Sequence, residues 1–398
     1  RDVAPSRGLG DVYKRQALTV ASICMMSFTG CSETAETSSG GSSTGSQSDT
    51  INLGFVLPIT GSVPNLGSAM KNGAELAIEE INDQGGINGK KIKAVIEDDE
   101  NKPATAPNAI TKLIDQDKVD AVLGTYASSC SIAMAPIATA NKKVMLSIGS
   151  TNAKVTTEGG DYVFRACFID PFQGKIAAEF AYEDLQAKQV ALLYDVGKDY
   201  CVGISSTFKD TFQKLGGEVA YEGKYNTGES DFKSYLTEIG NKGVKVLFIP
   251  DDYDVVGLIA KQIKELGLNI QLLGSDSWSD PGLMEVGGDA VEGAYFTDHV
   301  SIKSENLKTF VSNYKNKFGQ DPGAFSVLAY DSVYIMATAI KNAGSTDSDA
   351  IKNELKKLDE NCGTTHYKFD ENRDPIKSVV INKVSNGQFE FVKEIEPK

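Results

Sequence analysis

Histidine is almost missing from this chain of 398 residues: His299 and His366 are the two present. Neither has the spacing of a catalytic triad or a metal set, and the chain holds no HExxH and no Walker loop. A GxSxG occurs at Gly41–Gly45, but in a Ser- and Gly-rich stretch that is not a strand–turn–helix, so it reads as chance. An enzyme is therefore not expected, and no cofactor or metal is expected either. Cysteine is scarce and scattered. The six residues contain no CxxC, which argues against zinc, and Cys130, Cys167, Cys201 and Cys362 do not make a disulfide framework in so large a chain. Positive charge is also short, with 40 Lys and Arg against 54 Asp and Glu and a net charge of −14. A nucleic-acid partner is not expected from that balance, because phosphate binding needs a basic face. No run of 18 apolar residues is present to span a membrane as a mature helix, and no repeat of 20–50 residues is evident. What remains is 41% hydrophobic and 24% charged, ordinary for a globular protein and long enough for two cores.

The first 50 residues read as export and tethering. Arg1–Gln16 has no starting Met and no helix or strand pattern, and is expected to be a spurious lead. Lys14-Arg15, the apolar Ala17–Phe28 and Thr29-Gly30-Cys31 then follow the order of an export signal. The Thr-Gly-Cys ending resembles a bacterial lipobox, which implies cleavage before Cys31 and a lipid on its sulfur. Phe28 stands where Leu is usual, and the alternative is a plain signal peptide with an incidental Cys. Ser32–Thr50 is a flexible tether of Ser, Thr, Gly and Glu. Residues 1–30 hold four basic and two acidic side chains, so their removal leaves a charge of −16.

Beyond residue 50 strands and helices alternate. Ile51–Leu57 reads as a strand, and Met70, Ala74, Ala77, Ile78 and Ile81 share a helical face behind Ser68 as a cap. A strand over Lys91–Glu97, a helix after Pro103, a strand over Val119–Leu123, a helix from Ser128 and a strand over Val144–Ile148 follow. The pattern restarts with a helix over Phe172–Leu185 and strands at Val190–Tyr194, Glu218–Tyr225, Val244–Ile249 and Ile270–Leu273, each followed or preceded by a helix. Helices near Asn306–Phe318, Phe325–Lys341 and Asp349–Leu358 come after a strand at Ala294–Thr297. Short strands around the turn Ser385-Asn386-Gly387 close the chain. Such alternation means doubly wound α/β lobes with parallel sheets covered on both faces.

Ligands in such sheets bind beyond the carboxyl ends of strands. Thr125–Ser129, Gly149–Asn152, Asp195–Tyr200, Asp251–Tyr253 and Ser275–Trp278 stand at such ends. In Gly124–Ser131, Ser128 or Ser129 takes the N-cap position of a helix whose first N–H groups make an anion seat. A small ligand's carboxylate is expected there; the plainer alternative is that Ser128 only caps its helix.

Taken together, Leu57–Gly61, Asn72–Ala77, Ile81-Asn82 with Gly85–Gly89, Phe164-Arg165 with Asp170–Gly174, and Gly274–Trp278 resemble the type I periplasmic binding proteins, and within them the branched-chain amino-acid-binding proteins of ABC importers. The resemblance covers about residues 51–398. It implies two lobes joined by a three-strand hinge, with 51–169 plus 299–375 as lobe one and 170–298 plus 376–398 as lobe two. By the same resemblance, Ser128 holds the ligand's α-carboxylate, the Gly149 carbonyl faces the ammonium, and Thr151 lies between the charges beside Ser150. Tyr200 closes from the second lobe and Asp276 pairs the ammonium. Thr151 and Asp276 could instead serve their own loops. Tyr126 and Phe168 are either cleft wall or lobe packing, and Trp278 either stacks on ligand or packs the lobe edge. Cys167 and Cys201 are expected to be structural. Two departures stand out: Leu66 and Asp252 replace frequent tyrosines, and Asp252 either faces solvent or bonds its neighbours, or else faces the cleft, where it would favour a polar or cationic ligand side chain. The expected function is a monomeric, lipid-anchored solute receptor that hands an amino acid to a membrane permease and its ATPase. The alternative is a same-fold receptor or sensor for an amide, urea or aromatic acid.

Overall fold

The computed structural model describes residues 50–397, so the leader, Cys31 and nearly all of the tether lie outside the described residues. From Thr50 the chain runs β1 (Thr50–Leu57), α1 (Pro64–Asp83), β2 (Lys91–Asp98), α2 (Ala106–Asp115), β3 (Ala121–Gly124), α3 (Ser128–Ala140), β4 (Met145–Ser147), the single turn α4 (Lys154–Thr157) and β5 (Val163–Arg165). These strands form a parallel sheet in the order β2-β1-β3-β4-β5. The strand residues show why both faces are covered. Leu53, Phe55 and Leu57 of β1, Leu123 of β3 and Leu146 of β4 pack on one side, while Val56, Val122 and Met145 pack on the other. Alternate side chains point to opposite faces, and each face here is apolar.

A second lobe follows with α5 (Asp170–Glu179), a π-turn over Phe180–Asp184, β6 (Gln189–Asp195), α6 (Asp199–Lys214), β7 (Glu218–Tyr225), α7 (Lys233–Asn241), β8 (Val246–Phe248), α8 (Tyr253–Glu265), β9 (Gln271–Gly274), α9 (Gly282–Gly287) and β10 (Tyr295–Asp298). The chain then returns to the first lobe. There α10 (Lys308–Phe318) and α11 (Ala324–Ala343) pack on α1, with α12 (Ser348–Leu355) and the hairpin of β11 (Asp359–Cys362) and β12 (Thr365–Lys368) beside α11. At Gly73 of α1 an added Cβ would lie 2.0 Å from the Ser326 carbonyl oxygen, so glycine is what lets α1 and α11 approach this closely. Finally β13 (Val379–Ser385) and β14 (Gln388–Ile395) join the second sheet, ordered β14-β13-β10-β9-β8-β6-β7.

Three features differ from the expectation. The second sheet is parallel except at its β13 edge, where β13 pairs antiparallel with β10 and β14 pairs antiparallel with β13. Helix α1 begins at Pro64 behind Val63, four residues before Ser68. Proline suits a first helical position because its missing N–H would have no partner there. Trp278, Asp276 and Ser277 form a single 3₁₀ turn after β9. Among the described residues no helix is long and apolar enough to cross a membrane. The four cysteines within this span are buried and free.

The chain passes between the sheets after β5, after β10 and before β13. Asp298 closes β10 at the second passage. Its buried carboxyl accepts from Ser279 Oγ at 2.8 Å, Asn382 Nδ2 at 2.9 Å and the His299 N–H at 2.7 Å. Burial nevertheless pushes it up to about 8. In an unfolded chain an Asp titrates near about 4, so the folded state holds the proton more tightly. This group's contribution is greatest below about pH 4 and is lost as pH rises toward about 8. Asp298→Asn is expected to flatten that slope, seen as a smaller difference between urea midpoints at about pH 5 and about pH 9 than in the unaltered protein.

Candidate ligand-binding cleft

The loops that leave β3, β4, β6, β8 and β9 meet at the carboxyl ends of the two sheets, around a cavity of about 620 Å³ with its mouth included. Tyr126, Ala127, Ser128, Ser129 and Gly149 line it from the first lobe. Lys198, Tyr200, Asp252 and Asp276 line it from the second.

On the first wall, α3 starts one residue earlier than a Ser128 cap requires. Ala127 is the extended N-cap residue, and Ser128 and Ser129 are the first helical residues. Their hydroxyls do other work. Ser128 Oγ accepts the Asn152 N–H at 3.2 Å, and Ser129 Oγ accepts the Asp199 N–H from the second lobe at 3.0 Å. The backbone N–H groups of Ser128 and Ser129 have no acceptor among the described residues. They are the orphan donors of a helix start, at its positive end. The Gly149 carbonyl likewise accepts no hydrogen bond among the described residues, while its N–H donates to Thr125.

On the opposite wall, Asp276 accepts the Tyr200 hydroxyl at 2.7 Å and lies 2.9 Å from His299 Nε2. Its own N–H donates to Gln173 Oε1 at 2.9 Å, which fixes the turn. His299 is fully enclosed, with its ring 3.9 Å from that of Phe168 and edge-on to Phe325. Burial holds its pKa below the usual value, against the upward pull of Asp276. A neutral imidazole donating from Nε2 gives Asp276 a hydrogen bond and brings no positive charge to it.

A second charged group completes that wall. Lys198 Nζ contacts Asp251 and, at 2.7 Å, Asp252. Asp252 also accepts the Tyr126 hydroxyl of the first lobe at 2.7 Å, and Asp251 accepts that of Tyr225. Burial pulls the Lys198 pKa down, but Asp252 and Asp251 more than offset it, so the ammonium stays charged. Around the rim, Asn152 Nδ2 donates to the Asp199 carbonyl at 2.7 Å. Tyr126 to Asp252, Ser129 to Asp199 and Asn152 to Asp199 thus tie the lobes together across the cleft.

This architecture has known counterparts. The family model described as "Periplasmic binding protein" matches residues 50–388. A leucine-, isoleucine-, valine-, threonine- and alanine-binding protein of Pseudomonas aeruginosa is 30% identical over 328 residues, 82% of this chain and 87% of its own. The chain belongs to the type I periplasmic binding proteins, in the branched-chain amino-acid-binding family. Its fold matches the leucine-binding protein LivK of Thermotoga maritima with a TM-score of 0.84 at 38% identity, over 87% of this chain and 99% of that one. LivJ of Streptococcus pneumoniae, solved with isoleucine, gives 0.83 at 32% identity, over 87% and 100%. A solute-binding protein of Rhodopseudomonas palustris BisB5, solved with 3,4-dihydroxybenzoic acid, gives 0.78 at 26% identity, over 88% and 98%.

In this periplasmic binding protein six of the residues singled out in the sequence share the cavity: Tyr126, Ser128, Gly149, Tyr200, Asp252 and Asp276. Four do not line it. Ser150 lies behind the wall, its hydroxyl 2.8 Å from Ser131 Oγ and 3.0 Å from the Tyr126 carbonyl. Thr151 is buried beside the Asp170 carboxyl. Phe168 sits behind His299. Of the two alternatives for Trp278, packing holds and ligand stacking does not: its indole N–H donates to the Ile249 carbonyl at 3.0 Å, and its ring fills the space over Gly274, where a Cβ would come within 2.0 Å. An apolar ring with its one donor satisfied belongs to the lobe core. Asp252 faces the cleft, but Lys198 answers its charge, which removes the reason to expect a cationic ligand side chain. Lys198, Asn101, Pro103 and Thr227 line the cavity and escaped the sequence reading. The available signal for Lys198 was a lone basic residue at one strand end and the Asp251-Asp252 pair at another.

Arg165 holds the Gly149–Asn152 loop from beneath. Its fully buried guanidinium donates to the Ser150 and Asn152 carbonyls at 2.9 Å each and to Thr156 Oγ1 at 2.9 Å, and pairs with Asp374. Arg165→Met leaves Asp374 and two carbonyls buried without it. Such a change is expected to cost about 3–5 kcal/mol in urea unfolding, with an unchanged denaturant slope.

Proposed function

We propose that this protein is the extracytoplasmic solute receptor of an ABC importer, held to the membrane by a lipid on Cys31. It captures a free amino acid, branched-chain or related, between its lobes and delivers it to a permease and its ATPase, working as a monomer. Lobe one is 51–169 with 299–375, lobe two is 170–298 with 376–398, and the three passages between them are the hinge.

One observation carries the reading: unpaired helix-start N–H groups and an ionisable carboxylate held by neutral partners face one cavity from opposite lobes. The α-carboxylate sits at Ser128 and Ser129, and the ammonium sits between Asp276 and the Gly149 carbonyl. A zwitterion is costly to bury unless both ends are paired and hydrogen-bonded, and each end finds its partner here. Neither lobe alone can answer both charges, so binding favours closure. The amino-acid ligands named for the Pseudomonas and Streptococcus relatives support the same class.

Calorimetric titration with the twenty amino acids and with 3,4-dihydroxybenzoate tests it. Micromolar or tighter binding of at least one amino acid, about −8 kcal/mol or better, is expected. Binding of the aromatic acid with no heat from any amino acid would transfer the protein to the aromatic-acid reading that the Rhodopseudomonas structure suggests. Asp276→Ala is expected to lose about 2–5 kcal/mol of amino-acid affinity, as when one member of a buried charge pair is cut away. The Ser128 hydroxyl accepts the Asn152 N–H but still has its own proton to donate to the carboxylate, so Ser128→Ala is expected to lose about 1–3 kcal/mol. Unchanged dissociation constants in both variants would mean the ligand's two charges lie elsewhere.

A further inference from the structure

Besides the groups assigned to the two charges of an amino acid, the cavity wall carries Asn101, Tyr126, Lys198, Thr227 and Asp252. Their hydrogen-bonding capacity is only partly used. Lys198 spends two N–H groups on Asp251 and Asp252, and an ammonium has three. Asn101 gives its amide nitrogen to Ser62 Oγ at 2.9 Å, while its Oδ1 is buried with no partner among the described residues. The Tyr126 hydroxyl donates to Asp252 and keeps its acceptor lone pairs. Asn101 is held at a φ of +57°, a left-handed value that Asn tolerates better than most residues, at the start of the loop leading to α2.

Charge narrows the choice of ligand. At the cavity wall Lys198 pairs with Asp252, while Asp251 lies outside the lining, accepts the Tyr225 hydroxyl as well as Lys198, and is raised in pKa by burial, which lessens its charge. A second positive charge on the ligand would meet the Lys198 ammonium. A second negative charge would meet Asp252 and Asp276. A branched aliphatic side chain would strip water from Lys198 and Asn101 and return no hydrogen bond, which is the case sites of this kind discriminate against most strongly. An uncharged side chain with hydrogen-bonding atoms avoids all three penalties.

We propose that this cleft selects amino acids with an amide or hydroxyl side chain over leucine, isoleucine and valine, and that Lys198 and Asn101 set this preference. The proposal rests on the amino-acid reading of the same site. It is tested by calorimetric titration of the unaltered protein with glutamine, asparagine, threonine, serine, leucine, isoleucine, valine, lysine and glutamate. The tightest of the first four is expected to bind at least about tenfold more tightly than leucine. Lys198→Met is expected to shrink that ratio by about tenfold, and Lys198→Arg, which keeps a donor, to retain it. Asn101→Gly accommodates the left-handed backbone while removing the acceptor, and is expected to weaken the amide or hydroxyl ligand and leave leucine unchanged. Leucine, isoleucine, valine, lysine or glutamate as the tightest ligand of the unaltered protein would overturn the proposal. So would an unchanged ratio in a folded Lys198→Met variant. If that variant does not fold, the unaltered ranking and Asn101→Gly decide. Binding of no amino acid at all is a separate result: it ends the amino-acid reading itself, and this preference with it.

Discussion

A carboxylate in a nearly closed space needs a cation, and the start of a helix needs an anion. Asp276 has neutral donors on it, the Tyr200 hydroxyl and an imidazole that burial keeps from charging. Across the cavity, two backbone N–H groups stand unpaired at the head of α3. These two deficits lie on different lobes. On the proposed amino-acid reading, recognition and closure would share one free energy, since contacts made only in the closed state shift the population toward it.

The rest of the structure keeps those two deficits in place. Arg165 ties the loop after β4 to Asp374 at the third passage between the sheets. Asp298 and His299 sit together at the second passage, and His299 reaches Asp276 directly. The residues that orient the cleft are thus the residues at which the chain changes lobe. Elsewhere, Lys198 and Asp252 of the wall pair with one another, and Asp251 behind them shares the same ammonium. Direct bonds between the lobes, from Tyr126 to Asp252 and from Ser129 and Asn152 to Asp199, hold the cleft narrow around the site.

Much of this was legible before any coordinates. Period-two apolar runs and 3.6-residue helical faces marked nearly every long element, because both periods are local and survive in the sequence. The passage from strand to helix at Gly124–Ser131 was legible for the same reason. Boundaries were less so: proline at the head of α1 displaced the expected Ser68 cap, and Ala127 displaced Ser128. A cap depends on the backbone angles of one residue, which composition does not report. The strands β13 and β14 were legible around their turn, but not that β13 would run antiparallel to β10, since strand direction depends on how the chain returns from the other lobe.

By itself the sequence determined that two α/β layers would form, and the family resemblance pointed to Ser128, Gly149, Tyr200 and Asp276, which the structure brings to one cavity. Only the tertiary structure decided how charges pair and which way side chains at those loops turn. Lys198 meets Asp252 across 54 residues and His299 meets Asp276 across 23, separations that no local pattern encodes. Trp278, two residues from Asp276, points into the lobe core because its bulk fills the gap over Gly274. Periodicity is a property of neighbours in the chain, whereas desolvation and Coulomb pairing are properties of neighbours in space. The first can be read along the polypeptide; the second exists only once it has folded.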